Sequence, residues 1–199
     1  DGAGSVARLQ GVLEQGDLRV GLLVLDLVGL FHTDVIAIRR AADHLELDHV
    51  MVSTTHNHET QDTMGIWGPT VAESGYDPAY VATVVERSTA ALTQAVQAMT
   101  PAVPRWARTE APELVNDIRE PFVIDQALTA LRFDDLDGQP VATAVFWGNH
   151  PEALGASNTA LTSDFPHYLR EELEAAYPGA PALYFNGSLG GLSTPIGIV

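Results

Sequence analysis

A chain of 199 residues with 46% hydrophobic content is long enough for one domain with a substantial core. Its formal charge is -16 and every basic residue is an arginine; that acidic balance argues against nucleic acid as a partner and is most simply a solvated surface. The absence of cysteine excludes disulfides, thiolate zinc sites and a cysteine nucleophile, and no stretch approaches the ~20 apolar residues of a membrane-spanning helix.

In chain order, the apolar run VGLLVLDLV at 20–28 predicts a buried strand. Thr33 then reads as the cap of a helix whose Val35, Ile38, Ala42 and Leu45 recur at helical spacing, and a second strand is expected over 49–55. Asp77 and Pro78 supply an N-cap and a first-turn proline for a helix to about Met99. Its apolar stripe is Val81, Val85, Leu92, Val96 and Met99, with Pro101 just beyond the end. Strands at 102–110 and 127–133 follow. The turn DDLDGQP then leads into VATAVFW, so 127–147 reads as a hairpin. Ser163 or Asp164 caps a helix with Phe165, Leu169, Leu173 and Tyr177 on one face, and PALYF is the last strand. This alternation predicts an α/β fold with a mixed β-sheet core and flanking helices, mixed because of the hairpin. No repeat or linker interrupts it, so residues 1–199 read as one piece of one domain. The abrupt opening DGAGSVARLQ and ending STPIGIV read as truncations of a larger chain.

Three apolar strands, ending near Thr55, Trp147 and Phe185, run into loops rich in polar or glycine residues: HNHETQDTMGIWGP, GNHPEALGASNTALTSD and NGSLGGLSTP. Sites in open α/β sheets form outside the carboxyl ends of strands, which makes these loops the place to expect chemistry.

His56 and His58 stand at i and i+2. In extended backbone such side chains share a side, so both imidazoles face one ion or substrate; the alternative is two unrelated loop histidines. Imidazole suits zinc, and a catalytic zinc takes protein ligands plus an open position. His150 follows another apolar strand, and ligands from separate strands are how rigid sheets build metal sites, although a lone histidine is more often structural. HNH also matches the letters of a nuclease motif, and GNHPE those of metallophosphoesterases. The acidic surface opposes the first, and the upstream Asp-x-His and Gly-Asp-x-x-Asp that the second needs are missing. Ser193 lies in a glycine-rich stretch that exposes a hydroxyl or aims N–H groups at an oxyanion, or is an ordinary turn. Arg119, in VNDIREPFVID, is suited to a carbonyl or carboxylate oxygen or is merely solvated. Asp26, mid-strand in LVLDLVG, needs a partner if buried. Trp67 reads as a loop anchor.

Taken together these pieces resemble the neutral/alkaline (non-lysosomal) ceramidases, the zinc-dependent amidases that split ceramide. TTHNHETQD stands where that family carries Thr-His-Thr-His-Ser-Gly-Pro. FWGNHPEALGASNTALTSDFPHYLREELE matches its second histidine region, and NGSLGGLSTP its Asn-x-Gly-Asp-x-Ser-Pro. VLDLVGL and IREPFVIDQALTALRFDDLDGQPVA have counterparts in the same order, so the resemblance covers essentially the whole chain. It implies the N-terminal part of a single zinc-dependent amidohydrolase domain. By position it makes His56 and His150 zinc ligands, with the remaining ligands, a Glu and a Tyr, beyond Val199. His58 would sit beside the metal, contacting substrate or shuttling a proton, and Arg119 would help hold the polar head of the substrate. Ser193 matches a serine assigned as nucleophile on one account of the family. The other account uses a water on zinc, and it is favoured here because zinc lowers the pKa of water to about 7.

The implied reaction is hydrolysis of the N-acyl bond of ceramide or a related lipid, giving a sphingoid base and a fatty acid. Two departures, Ser-Gly-Pro become Glu59-Thr60-Gln61 and the Asp of Gly-Asp-x-Ser become Gly191, bear on the substrate more than on metal-assisted hydrolysis. The alternatives are an amidase or esterase for another acyl substrate, and a non-catalytic relative that binds lipid or a partner. The implied partners are a small lipid or acyl-amide and a transiently contacted membrane surface, with no nucleic acid; the oligomeric state is open. The implied location is extracellular or periplasmic.

Overall fold

The structure, a computed structural model, describes residues 9–189 and 193–198. It divides into two compact units, residues 1–54 with 60–99, and residues 55–59 with 100–199.

The first unit is built on a three-stranded sheet. β1 (Leu9–Gln15) pairs antiparallel with β2 (Leu18–Leu25), and β3 (His49–Thr54) lies parallel on the other side of β2. Gly16, at φ +61°, opens the two-residue turn from β1 to β2; glycine reaches that left-handed conformation without a steric penalty. β2 is shorter than its apolar run suggests. The N–H of Leu27 turns back to the carbonyl of Leu25 at 2.9 Å and ends the strand, so Asp26 is a buried residue just past it.

Helix α1 (His32–Ala41) joins the parallel strands. Its N-cap is Phe31, without a side-chain bond, and Thr33 falls one place inside the helix. Leu45 is buried as expected, but in a 3-10 turn, Asp43–Leu45, where the chain tightens after α1. Helix α2 (Pro78–Gln97) has the expected cap: Asp77 Oδ1 accepts from the N–H of Ala79 at 2.8 Å. It buries Val81, Val84, Ser88, Ala91 and Leu92, whereas Met99 lies past the helix end and is exposed. Leu23, Leu25, Leu27, Ile38, Val84 and Leu92 make the core of this unit.

The second unit is a four-stranded sheet in the order β4 (Val103–Glu110), β6 (Ala127–Asp134), β7 (Pro140–Trp147), β8 (Ala182–Asn186). The predicted hairpin is β6–β7, and β8 returns parallel to β7 through α3 (Asp164–Ala176). The mixed sheet expected from the sequence is therefore two mixed sheets, one in each unit. A two-stranded ladder accompanies the second: β5 (Asn116–Asp117) pairs antiparallel with β9 (Ser193–Thr194). Trp147, Tyr184 and Val115 form the buried centre of this unit, with Phe165 and Leu169 of α3 packed on it.

Parallel pairing brings the carboxyl ends of β7 and β8 together, the last register pair being Trp147 with Asn186. The two chains then cross closely. A Cβ at Gly148 would meet the carbonyl oxygen of Ser188 at 2.4 Å, and one at Gly187 would meet the backbone N of Gly148 at 2.9 Å. Only glycines fit both positions, which is the physical reason for the Gly in FWGNH and in FNGS.

Candidate metal centre

The chain leaves β3 at Thr54, and residues 55–59 belong to the second unit. Two contacts pin this strap there. The amide of Asn186 donates to the carbonyl of Thr55, and the N–H of Thr162 donates to the carbonyl of Glu59 at 3.1 Å. Asn57, fully buried between the two histidines, donates its amide to the carbonyl of Thr162 and accepts from the N–H of Glu59 at 3.0 Å. With Asn57 so committed, His56 and His58 are left to face one another.

The rings do meet, but not through extended backbone. His56 has φ +63°, a left-handed conformation that is uncommon for any residue with a side chain. Such strain persists where surrounding contacts over-determine it, and it clusters at functional sites. His56 Nε2 and His58 Nε2 lie 3.3 Å apart with the rings edge-on at 84°.

His150 completes the group. It is buried, three residues past the end of β7 and two past Gly148, with ring centroids 5.0 Å from His56 and 5.7 Å from His58. The carbonyl of Ser193 accepts from its backbone N–H at 2.9 Å and from its Nδ1 at 2.7 Å. A carbonyl can only accept, so the ring proton is on Nδ1 and the Nε2 lone pair is free for a ligand role. One nitrogen from each of the three histidines lies within 4.8 Å of the others. Burial, and then the neighbouring His56, hold the His58 pKa below the ordinary histidine value, with Glu152 opposing and His150 adding to the depression. Depression favours the neutral, lone-pair-bearing form that metal binding requires.

Among the described residues this is a group able to hold a metal ion, and imidazole nitrogens are ligands suited to zinc and other first-row metals.

The other predicted residues fall nearby in different ways. Ser193 is fully buried; its carbonyl orients His150, while its hydroxyl has no hydrogen-bond partner among the described residues. Arg119 is exposed, and its N–H donates to Asp117 Oδ1 at 3.0 Å; Asp117 is the residue paired with Ser193 in the short ladder. Gly191 lies outside the described residues. Asp26 belongs to the first unit. There Trp67 is partly exposed, and Asp62 anchors the loop around it, accepting from the N–H groups of Met64, Gly65 and Trp67 at 2.8 Å each. Burial alone would raise the Asp62 pKa, and these bonds hold it below the ordinary carboxylate value.

Sequence reasoning missed two contributors. Tyr184, buried in β8, places its hydroxyl 2.9 Å from the carbonyl oxygen of Trp147, 3.1 Å from that of Asn149 and 3.2 Å from Asn186 Oδ1, tying together the strand ends that carry the site. Burial drives its pKa far above the usual phenol value. Glu152, in the turn after His150, brings Oε2 to 3.8 Å from His58 Nδ1.

Fold and histidine group together define an α/β chain with a cluster of three histidines able to hold a metal ion. Comparison with protein-family models and with curated proteins gives no match. Solved structures do match. A ceramidase complexed with C2 is similar at TM-score 0.75 and 15% identity, over 92% of this chain and 32% of that one. The neutral ceramidase from Pseudomonas aeruginosa is similar at TM-score 0.75 and 16% identity, with the same coverage. The chain thus spans about a third of the length of these structures. Its fold is that of part of a ceramidase catalytic domain, and the resemblance read in the sequence is borne out at the level of fold.

Proposed function

We propose that the protein is a zinc-dependent hydrolase of linear amides, with the N-acyl bond of ceramide or a related lipid as its substrate and a sphingoid base and fatty acid as products. The observation that carries this reading is the convergence of His56, His58 and His150 from two separate loops, with nitrogens within 4.8 Å; the ceramidase-like fold supports the substrate class. His56 and His150 hold the metal. A zinc ion bound there supplies Lewis-acid polarisation of the amide carbonyl and an acidified water. His58, the more open of the rings, contacts the substrate or moves the proton from the attacking water to the leaving amine. Arg119 steadies the polar head of the substrate. Burial of the Ser193 hydroxyl favours water over serine as the nucleophile, and leaves Ser193 to hold His150 through its carbonyl.

A second reading keeps the metal and changes the acyl substrate. It is favoured by Glu59: both its carboxylate oxygens are buried, and burial raises its pKa. A buried acid where the ceramidases carry Ser-Gly-Pro alters the site beside His58. Elemental analysis of the full-length protein, purified with zinc supplied, tests the common core of both readings. About one zinc per chain, lost in His56→Ala and His150→Ala, is expected, with chelation abolishing hydrolysis of a fluorescent N-acyl sphingoid lipid and zinc restoring it. A metal-free wild type overturns both. Zinc binding with turnover of short acyl esters or amides alone selects the second.

A further inference from the structure

The loop 62–76 of the first unit has no part in the centre described above, yet its conformation is held at several points. At its base the buried Asp62 takes the N–H groups of Met64, Gly65 and Trp67. Farther along, the two sides of the loop touch through glycine: a Cβ at Gly68 would run into the carbonyl of Glu73, and one at Gly75 into the carbonyl of Trp67. The tip between them is a turn. The N–H of Glu73 donates to the carbonyl of Thr70 at 3.2 Å, and the Thr70 hydroxyl donates to Glu73 Oε2 at 3.2 Å. A loop pinned in this way keeps its outward side chains outward, and three of them are large and apolar: Ile66 is 56% exposed, Trp67 43%, and Val71 fully.

We infer that this tip docks on the surface of an electrically neutral lipid bilayer, with Ile66, Trp67 and Val71 as the side chains that enter it. Charge selects that occupant. Residues 63–72, TMGIWGPTVA, carry no charged side chain in a chain of net charge -16. The tip can therefore leave water without stripping an ion, while an anionic bilayer would repel the rest of the chain. Tryptophan adds to this, since its ring and N–H favour the boundary between membrane and water. The area points the same way. Three side chains offer at most a few hundred Å², against the ~800 Å² per partner of a stable protein interface; shallow insertion into lipid needs no such area and gives weak, reversible binding. Because the loop is already fixed, little conformational freedom is lost on insertion. The inference rests on the proposed lipid substrate for its purpose, since such a substrate is met in a bilayer, but vesicle binding tests it without turnover.

The test is co-sedimentation of the full-length protein with vesicles of phosphatidylcholine, alone or mixed with phosphatidylglycerol, over a range of NaCl. Binding to phosphatidylcholine that salt leaves unchanged is expected, with weaker binding at low salt once phosphatidylglycerol is added. Val71→Ser weakens it about tenfold, the effect of one valine side chain kept in water, and Ile66→Ser combined with Val71→Ser removes it. Both positions are exposed, so neither substitution disturbs the fold. A second readout uses the absence of cysteine from the 199 residues: Val71→Cys, labelled with a polarity-sensitive fluorophore, emits as in water and shifts to shorter wavelength when phosphatidylcholine vesicles are added. Wild-type binding in the double variant, no binding to phosphatidylcholine, or binding confined to phosphatidylglycerol and abolished by salt overturns the inference. So does a label already shifted in buffer, which would mean that protein, from this chain or a second copy, covers the tip. A wild type that binds phosphatidylcholine vesicles but hydrolyses no N-acyl lipid upholds the docking surface and overturns the proposed substrate.

Discussion

The two units repeat one topology with different contents. β1, β2, α1 and β3 run as an antiparallel hairpin, a helix and a parallel strand; β6, β7, α3 and β8 do the same. In the first, the connection from hairpin to helix is the short stretch 26–31, where the buried Asp26 is followed by the buried apolar Leu27 and Val28. In the second, the connection is the much longer stretch 148–163, which opens on the buried Asn149 and His150 and reaches the helix at the buried Asp164. A parallel pair covered by a helix is thus a neutral frame. The chemistry lies in the connection, where polar groups are buried and must each find a partner.

That contrast can be broken or sharpened by substitution, and the largest effect belongs to the apolar unit. Leu23→Ala, in the fully buried middle of β2, is expected to cost about 2–5 kcal/mol through lost burial and a residual cavity, read as a lower urea midpoint. A loss well under 1 kcal/mol would show that this core collapses around the gap. In the polar unit the corresponding weak point is a hydroxyl. Tyr184→Phe removes the one O–H proton available to the neighbouring oxygens of Trp147, Asn149 and Asn186, at about 1–2 kcal/mol. Unchanged stability in Tyr184→Phe would mean that those acceptors are satisfied by other donors.

The smallest effect is a matter of pH. Hydrogen bonds from Arg132, outweighing burial and joined by those from Arg105, hold the Asp134 carboxyl below its ordinary value. Because the folded value is the lower one, the contribution is complete above the unfolded value of about 3.9 and is lost as pH falls through the folded value. Asp134→Asn is expected to lower stability at neutral pH and to flatten the acid limb of a stability–pH curve. A variant with the wild-type acid slope would assign that slope to other carboxylates.

Much of this was legible in the sequence, for reasons that differ residue by residue. The apolar runs at β2, β7 and β8 and the Asp77–Pro78 start of α2 are local signals, and the chain forms these elements there. Gly16-Asp17 between β1 and β2 is a two-residue hairpin signal, and β1 is legible from it. The rings of His56 and His58 meet, but the extended backbone that their i, i+2 spacing suggests is absent: His56 is left-handed. The role of Ser193 was invisible, because its contact with His150 is made by a carbonyl that every residue type carries. Glu152 was equally hidden: its meeting with His58 depends on how two distant loops come together, which no spacing along the chain encodes.

The pair of hydrogen bonds from His150 to one carbonyl has a further consequence. β5 and β9 are two residues each, too short a ladder to persist alone, and Ser193 belongs to both that ladder and the His150 contact. Local opening at His150 and fraying of the ladder are therefore a single event. The amide of His150 should exchange its hydrogen with solvent at the rate of that event, so a backbone exchange measurement reports the integrity of the centre without labelling it or altering any of its residues.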